Sequence, residues 1–436
     1  MIRRHYTRLI DELFADRALR IFGASLLGTQ LFTFLFWIIM GAENGSLIDI
    51  IGGRADPICW PYFESCAELR EFLNWSPLLW RVIFTFWFAL AMAGVGLFLW
   101  PTDSRSANDR RRVAAGWWIL LATQVFKWLV LSLDYRMMGN YHYMPFIISF
   151  AYLFFTQRRL LLPLLIIGFY VSAGSLKLNY EWLSGGALYR DTFLDGVWLQ
   201  VACAYVLFLE LILIWGIVSK RSWLRWLTLA QLAAFHAFSW QVVGFFYPMI
   251  MACLLSLFPL MWMRPQGDEI GHGERLLAGR LPRPHLLAIA AYAFAQLLPQ
   301  IYGGDPALTS EGRLWSLNMF DSKSRCSVLA IARHRDGTSI DMSHFRRELG
   351  VRIHCDPIVY MNDMRRLCRL NRGNPNFTDV DLYLNSRRAT DTQYTRILAE
   401  TNLCAKFESG LDYNILFPNV FIQPAPSRAL QHKATL

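Results

Sequence analysis

Long apolar runs recur through the first 301 residues, near 21–41, 79–100, 113–133, 143–156, 160–177, 196–218, 224–243, 245–263 and 285–301. A bilayer core takes roughly 20 apolar residues per helix and offers no water to an open backbone. Most of the runs reach that length, so the sequence predicts a mainly α-helical, polytopic transmembrane bundle of about nine spans. Composition agrees: 54% of the 436 residues are hydrophobic, with 17 Trp and 31 Phe, and the mean hydropathy is +0.28. That is too apolar and too aromatic for a soluble domain of this length. The start, Met1-Ile-Arg-Arg-His-Tyr6, does not read as a cleavable signal. Residues 1–20 form an amphipathic segment, with Leu9, Ile10, Leu13, Phe14 and Leu19 on its apolar side, expected to lie on the membrane surface.

Loop charge predicts the orientation, because basic residues near span ends stay on the cytoplasmic side. Arg3, Arg4, Arg8, Arg17 and Arg20 precede the first run, Arg105 and Arg110 to Arg112 follow the second, and Arg158 and Arg159 follow the fourth. Lys220, Arg221 and Arg225 follow the sixth; Arg264, Arg275, Arg280 and Arg283 follow the eighth. The loop 42–78 instead carries Glu43, Asp49, Asp56, Glu64, Glu68 and Glu71. The expected arrangement is an amino terminus in the cytoplasm and a carboxyl-terminal domain outside, in a periplasm or lumen. The net charge of +10 is then mostly a topology signal, and no nucleic-acid partner is expected.

After residue 302 the pattern becomes that of a soluble domain. Cys326-Ser-Val-Leu-Ala-Ile-Ala332 alternates into the turn Arg335-Asp-Gly-Thr338, Val380-Asp-Leu-Tyr-Leu384 reads as a second strand, and residues 358–370 have helical spacing. A small α+β domain over 302–423 is expected, followed by a disordered tail at 424–436. Cys203 and Cys253 fall in apolar runs, where cysteine is usually a small apolar residue. Cys59, Cys66, Cys326, Cys355, Cys368 and Cys404 fall on the expected outer side, where disulfides are permitted, with fifteen full pairings open. His334, His344 and His354 sit on separate elements, so no metal site is predicted.

Within the apolar region the informative residue is Lys177, at the end of the fifth run, inside Ala173-Gly-Ser-Leu-Lys-Leu-Asn-Tyr-Glu-Trp182. An ammonium there must pair, reach water or lose its proton; at the lip of a membrane cavity a neutral amine is a usable base. A lysine that snorkels to the interface is the plainer reading. His142, His236 and Lys127 map to the same leaflet from three other spans, and ionisable groups converging in this way define a site hypothesis. For each alone, a hydrogen-bonded packing residue is the plainer reading. Glu210 reads as structural, in the inner half of its span, paired with cytoplasmic-side base.

At these residues the chain resembles the membrane domain shared by vitamin K-dependent gamma-carboxylases and the related HTTM proteins. The matching pieces are Leu133-Asp134 with Asn140-Tyr-His142-Tyr, the Lys177 segment, Glu210, and Phe235-His236 with Phe246-Tyr-Pro248-Met. The resemblance continues through Leu297-Leu-Pro-Gln-Ile-Tyr302, Glu311-Gly-Arg-Leu-Trp315 with Met319, Asp356-Pro357 and Leu384-Asn-Ser-Arg387, and covers most of residues 15–410. It implies a membrane enzyme that uses a reduced vitamin K-type quinone, oxygen and carbon dioxide to carboxylate glutamyl residues of a peptide or protein on the outer side. In that chemistry a lysine deprotonates the hydroquinone, oxygen reacts with the anion, and the strong base so formed removes a γ-proton before carbon dioxide adds.

By position, Lys177 is the implied base and His142 its polar neighbour, with His236, Asn140, Lys127 and Trp182 supporting and Met319 and Trp315 at the isoprenoid quinone. The animal enzymes carry two adjacent lysines where this chain has Leu176-Lys177, do not predict Lys127, and continue further, so propeptide recognition of their kind is not expected. A non-catalytic HTTM scaffold or lipid-binding protein, and a quinol oxidase or epoxidase without carboxylation, are the alternatives. Fold likeness alone does not carry a reaction across.

Overall fold

The computed structural model describes residues 2–39, 58–60, 63, 66–72, 76–101, 106–137, 139–188, 191–262, 281–301, 305–309, 315–317, 324–343 and 354–409. Among these, the helices are α1 (Ile2–Ala15), α2 (Arg17–Ile39), α3 (Cys66–Phe72), α4 (Pro77–Leu99), α5 (Ala107–Ser132), α6 (Asn140–Phe154) and α7 (Arg158–Leu176). They continue with α8 (Tyr180–Leu183), α9 (Gly196–Leu211), α10 (Ser222–Val243), α11 (Phe246–Leu255), α12 (Leu257–Trp262), α13 (Arg283–Ile301) and α14 (Pro306–Thr309). Five segments, Arg17–Ile39, Pro77–Leu99, Ala107–Ser132, Arg158–Leu176 and Gly196–Val218, are long and apolar enough to cross a membrane.

Local chemistry explains several helix starts. Ser76 accepts the amide of Leu79 ahead of Pro77, and Ser106 accepts the amide of Asp109, so each satisfies one of the first-turn donors the helix leaves open. The bundle is organised around α2, whose Phe22, Leu26, Leu27, Phe34 and Trp37 are buried.

The expected amphipathic start is helical, but its apolar side meets protein: Leu9, Ile10 and Leu13 are buried, and Tyr6 packs on Trp117 and Trp118. Charge pairing holds it there. Glu12 binds the buried Arg158 at 3.0 Å and accepts the amides of Gln157 and Arg158, Asp16 pairs with Arg159, and Arg110 meets Asp11 at 2.6 Å. Three of the arginines read as topology signals therefore also fasten α1 to the bundle.

The carboxyl-terminal unit is a four-stranded antiparallel sheet, order β2-β1-β3-β4, from β1 (Ser324–His334), β2 (Ser339–Asp341), β3 (Phe377–Arg388) and β4 (Thr395–Glu400). Both expected strands are present and are register partners, Val328 opposite Leu384 and Ala332 opposite Val380. Alternation along β3 buries Val380, Leu382, Leu384 and Ser386. They pack against Met361 and Met364 of α15 (Pro357–Leu370), whose start is capped by Asp356 accepting from Ile358, and near Leu403 of α16 (Leu403–Glu408). Gly337 supplies the positive φ of the β1–β2 turn.

The six expected cysteines pair as Cys59–Cys66, Cys326–Cys355 and Cys368–Cys404, and Cys203 and Cys253 are free. This is one of the fifteen full pairings: two of its disulfides close loops within the α+β unit and one lies in the segment that precedes α4. The tail at 424–436 and most of the acidic loop lie outside the described residues.

The α+β unit is bolted to the helical bundle by polar contacts. Arg388 Nη1 reaches Glu181 Oε2 at 3.0 Å, while its Nε and Nη2 bind Asp305 at 2.5 Å each. The amide of Ala389 donates to Glu181 Oε1 at 3.1 Å. Tyr135 donates to Asp356 Oδ2 at 2.7 Å, and Asn362 donates to the carbonyl of Cys59. Burial raises the Glu181 carboxyl above the usual carboxylate range, against the pull of Arg388.

Candidate active site

The helix carrying Lys177 stops inside the bundle. Leu176 is the last residue of α7, and the amide of Lys177 closes onto Gly174 O at 3.0 Å. Asn179 fixes the break: its Nδ2 donates to Leu176 O at 2.7 Å and its Oδ1 accepts the amide of Trp182 at 2.8 Å, ending one helix and starting α8. At Gly174 a Cβ would stand 2.9 Å from Leu211 and 3.1 Å from Glu210. The absent side chain lets α9 approach α7, and that approach delivers Glu210 to the lysine.

Lys177 Nζ lies 2.6 Å and 2.5 Å from the two carboxylate oxygens of Glu210, with Lys177 0% and Glu210 2% exposed. This corrects two expectations. Glu210 is paired with Lys177 rather than with cytoplasmic-side base, and Lys177 sits at no wet lip. Glu210 is 14 positions into the segment Gly196–Val218 (210 minus 196), about 21 Å from its start at 1.5 Å per residue, so the pair lies well along that helix.

Aromatic rings close over the pair. The Trp182 ring centroid is 5.2 Å from Lys177 Nζ and that of Phe235 is 5.9 Å. Trp182 is held by its Nε1, which donates to Cys203 O at 2.9 Å. Beside Phe235, His236 Nε2 is 2.6 Å from the hydroxyl of Tyr170, two turns before Lys177 on α7, and its ring is 5.6 Å from that of Tyr247. Lys177, Glu210, Tyr170 and His236 thus form one buried group within electrostatic reach of each other.

On the other side of Trp182 and Phe235 is a cavity of about 220 Å³, walled also by Leu199, Cys203, Phe238 and Tyr247. Its lining is almost wholly apolar, with Tyr247, Ser239 and Gln231 as polar edges. The volume falls below the roughly 300–1,000 Å³ of drug-sized sites. Tyr205, which also lines it, is half-exposed.

None of Lys177, His236 and His142 is among the residues lining this cavity, and the expectation that His142 shares a site with Lys177 and His236 is overturned. His142 is buried against Trp37, Tyr141 and Phe246, with ring centroids at 6.1, 4.5 and 6.1 Å. Consecutive residues of α11 separate the histidines, Phe246 facing His142 and Tyr247 facing His236. Lys127 belongs with His142: it is fully buried and donates to Thr33 Oγ1 at 3.2 Å. Asn140 is buried in the first turn of α6.

Trp315, expected at the quinone, is 42% exposed and does not line the cavity; its carbonyl accepts from Tyr143. Met319 lies outside the described residues. Cys326, Cys355 and His354 bring their ligand atoms within 4.8 Å of one another, but the two sulfurs are joined to each other.

Sequence reading passed over Asn179, Tyr170 and Arg388. Asn179 carried a readable signal, an Asn three residues before an amide it caps. Tyr170 sits at i−7 from the lysine, a weak signal, and Arg388 had none. In comparisons with protein-family models, curated proteins and solved structures, the chain gives no match.

Proposed function

We propose that this protein is an integral-membrane, carboxylase-like enzyme that takes a reduced isoprenoid quinone in the apolar cavity, with Lys177 as the base for its hydroxyl and Glu210 as the base's proton partner. The observation that carries this reading is the buried Lys177–Glu210 pair set against Trp182 and Phe235, two side chains that also line that cavity. Two charges removed from water cost several kcal/mol each, and an apolar pair of similar volume is usually no less stable, so packing alone does not explain the pair. Ionisable groups inside membrane segments point to function by default.

One proton shared between the amine and the carboxylate gives the pair its use. With the proton on Glu210, the Lys177 nitrogen has a free lone pair for the quinol hydroxyl; as Lys177 takes that proton the pair becomes +1 and stands opposite the −1 of the quinolate, so the site as a whole keeps its charge. Trp182 and Phe235 keep water from the amine, and His236 with Tyr170 supplies a second hydrogen-bonded step at the far edge. Oxidation of the bound quinol by oxygen would supply the strong base for glutamyl carboxylation. The expected sidedness suits a substrate peptide: with about nine spans and the loop charge as read from the sequence, the α+β unit would lie outside, at the end of the bundle that holds Glu181 and Trp182.

Two measurements test this reading. Mass spectrometry of lipid extracted from the purified protein should find an isoprenoid quinone, and reduced quinone with labelled carbonate should label glutamyl peptides. Quinol consumption without label would favour the oxidase reading, and neither would favour the scaffold. Membrane-impermeant thiol reagent should reach Cys59 and Cys326 from outside only after reduction; protection until lysis would invert the orientation.

A further inference from the structure

Three polar layers cross the core between α2 and the helices facing it. Gln30 donates to Gln124 at 2.7 Å, Thr33 accepts from Lys127 at 3.2 Å, and Trp37 packs on His142 at 6.1 Å. Gln30, Thr33 and Trp37 fall at i, i+3 and i+7, one face of α2, as Gln124 and Lys127 do on α5, so Lys127 and His142 are about one helical turn apart along a common stripe. They are within electrostatic reach of each other. The rings of Phe34, Trp37, Phe84 and Phe126 form the surrounding wall.

The stripe is short of partners. Among the described residues Lys127 meets no carboxylate, and its hydrogen-bond partner is a hydroxyl whose own proton is committed to Thr29 O at 2.8 Å. Gln30 Oε1 and His142 Nδ1 are buried without a partner. An ammonium sealed in such a place lacks compensation, and a buried lysine relieves that by giving up its proton. The outcome is a nucleophilic amine beside an imidazole with a free nitrogen, enclosed where only a small, uncharged, membrane-soluble reactant can arrive.

We propose that Lys127 is a carbon dioxide site, its amine adding to carbon dioxide to form a carbamate while His142 takes the released proton. The nitrogen lone pair forms the new N–C bond, one C=O π pair moves onto oxygen, and one N–H proton passes to the imidazole, with no oxidation or reduction. The remaining N–H keeps its bond to Thr33 Oγ1. Two unsatisfied groups become an anion and a cation side by side, which closes the charge balance of the stripe. Because the step needs only dissolved carbon dioxide, it stands apart from the quinol reading and from Lys177.

The test uses the full-length protein in detergent, equilibrated with ¹³C-bicarbonate near pH 7, where exposed lysines are protonated. A carbamate carbon resonance should appear, vanish on purging with carbon dioxide-free gas, be absent in Lys127→Met and lose most of its intensity in His142→Phe. Alkylation with a trialkyloxonium salt should place the trapped carbamate on the peptide containing Lys127, and not only on the amino terminus. Lys127→Met replaces a buried amine with an apolar chain of similar length, and a circular dichroism melt checks that it folds. No resonance in the folded wild type, or one unchanged in folded Lys127→Met, overturns the proposal, as does a Lys127 peptide that stays unmodified while the amino terminus is trapped.

Discussion

Lys177→Ala should destabilise the protein by about 3–5 kcal/mol, because it leaves the Glu210 carboxylate buried and alone. Glu210→Ala should cost about the same from the other side. The double variant Lys177→Met/Glu210→Leu should regain most of the loss, since replacing both members of a buried pair by apolar residues is often neutral or stabilising. Thermal melts in a fixed detergent check all three. A double variant no more stable than either single one would mean that the site requires charge for folding. A lysine that only snorkels to the interface would make Lys177→Ala nearly silent for folding. The carboxylate 2.5 Å from its ammonium changes that expectation.

Arg388→Ala should release the α+β unit from the bundle. The guanidinium stands between Asp305 and Glu181, and without it two carboxylates face each other at the joint, a loss on the order of 3–5 kcal/mol for a buried pair broken on one side. The sign of the pH dependence follows from Glu181. Its folded carboxyl titrates above the ordinary range, so the native state binds the proton more readily than the unfolded chain. Its contribution is therefore fully present below the ordinary carboxylate range and falls as pH rises through the raised one. Acidification through that window should partly restore Arg388→Ala. Limited proteolysis across pH 5 to 8 is the readout, with faster separation of the α+β unit from the bundle at the upper end. Cleavage of Arg388→Ala at the wild-type rate throughout would mean that the clamp does not hold the joint.

What the sequence made legible is whatever depends on local pattern. Apolar runs of bilayer length located the helices, alternation located Cys326 to Ala332 and Val380 to Leu384, and Asp356-Pro357 marked the start of α15. The candidate site was legible as an inventory, Lys177, His142, His236 and Lys127, but not as an arrangement. Whether Lys177 meets Glu210 or water depends on how closely α9 can approach Gly174, a contact between segments 33 positions apart in sequence. Depth along a helix does not tell which neighbour a side chain faces. So two histidines assigned to one level fell on opposite sides of Phe246 and Tyr247, and Lys127 went with His142 rather than with Lys177. Arg388 was invisible for the same reason, its partners lying in two other segments. The short strand β4 carried too little pattern to be seen.

Turnover of the Lys177→Arg variant tests the central claim most directly. Arginine keeps the positive charge and can hold Glu210, so folding should survive, but a guanidinium does not give up its proton near neutral pH. Reduced quinone consumption in detergent, compared with wild type at equal folded protein, should fall by about 10²–10⁴, the usual worth of a general base. Wild-type turnover in a folded Lys177→Arg protein would contradict the account and leave Lys177 and Glu210 as a structural pair.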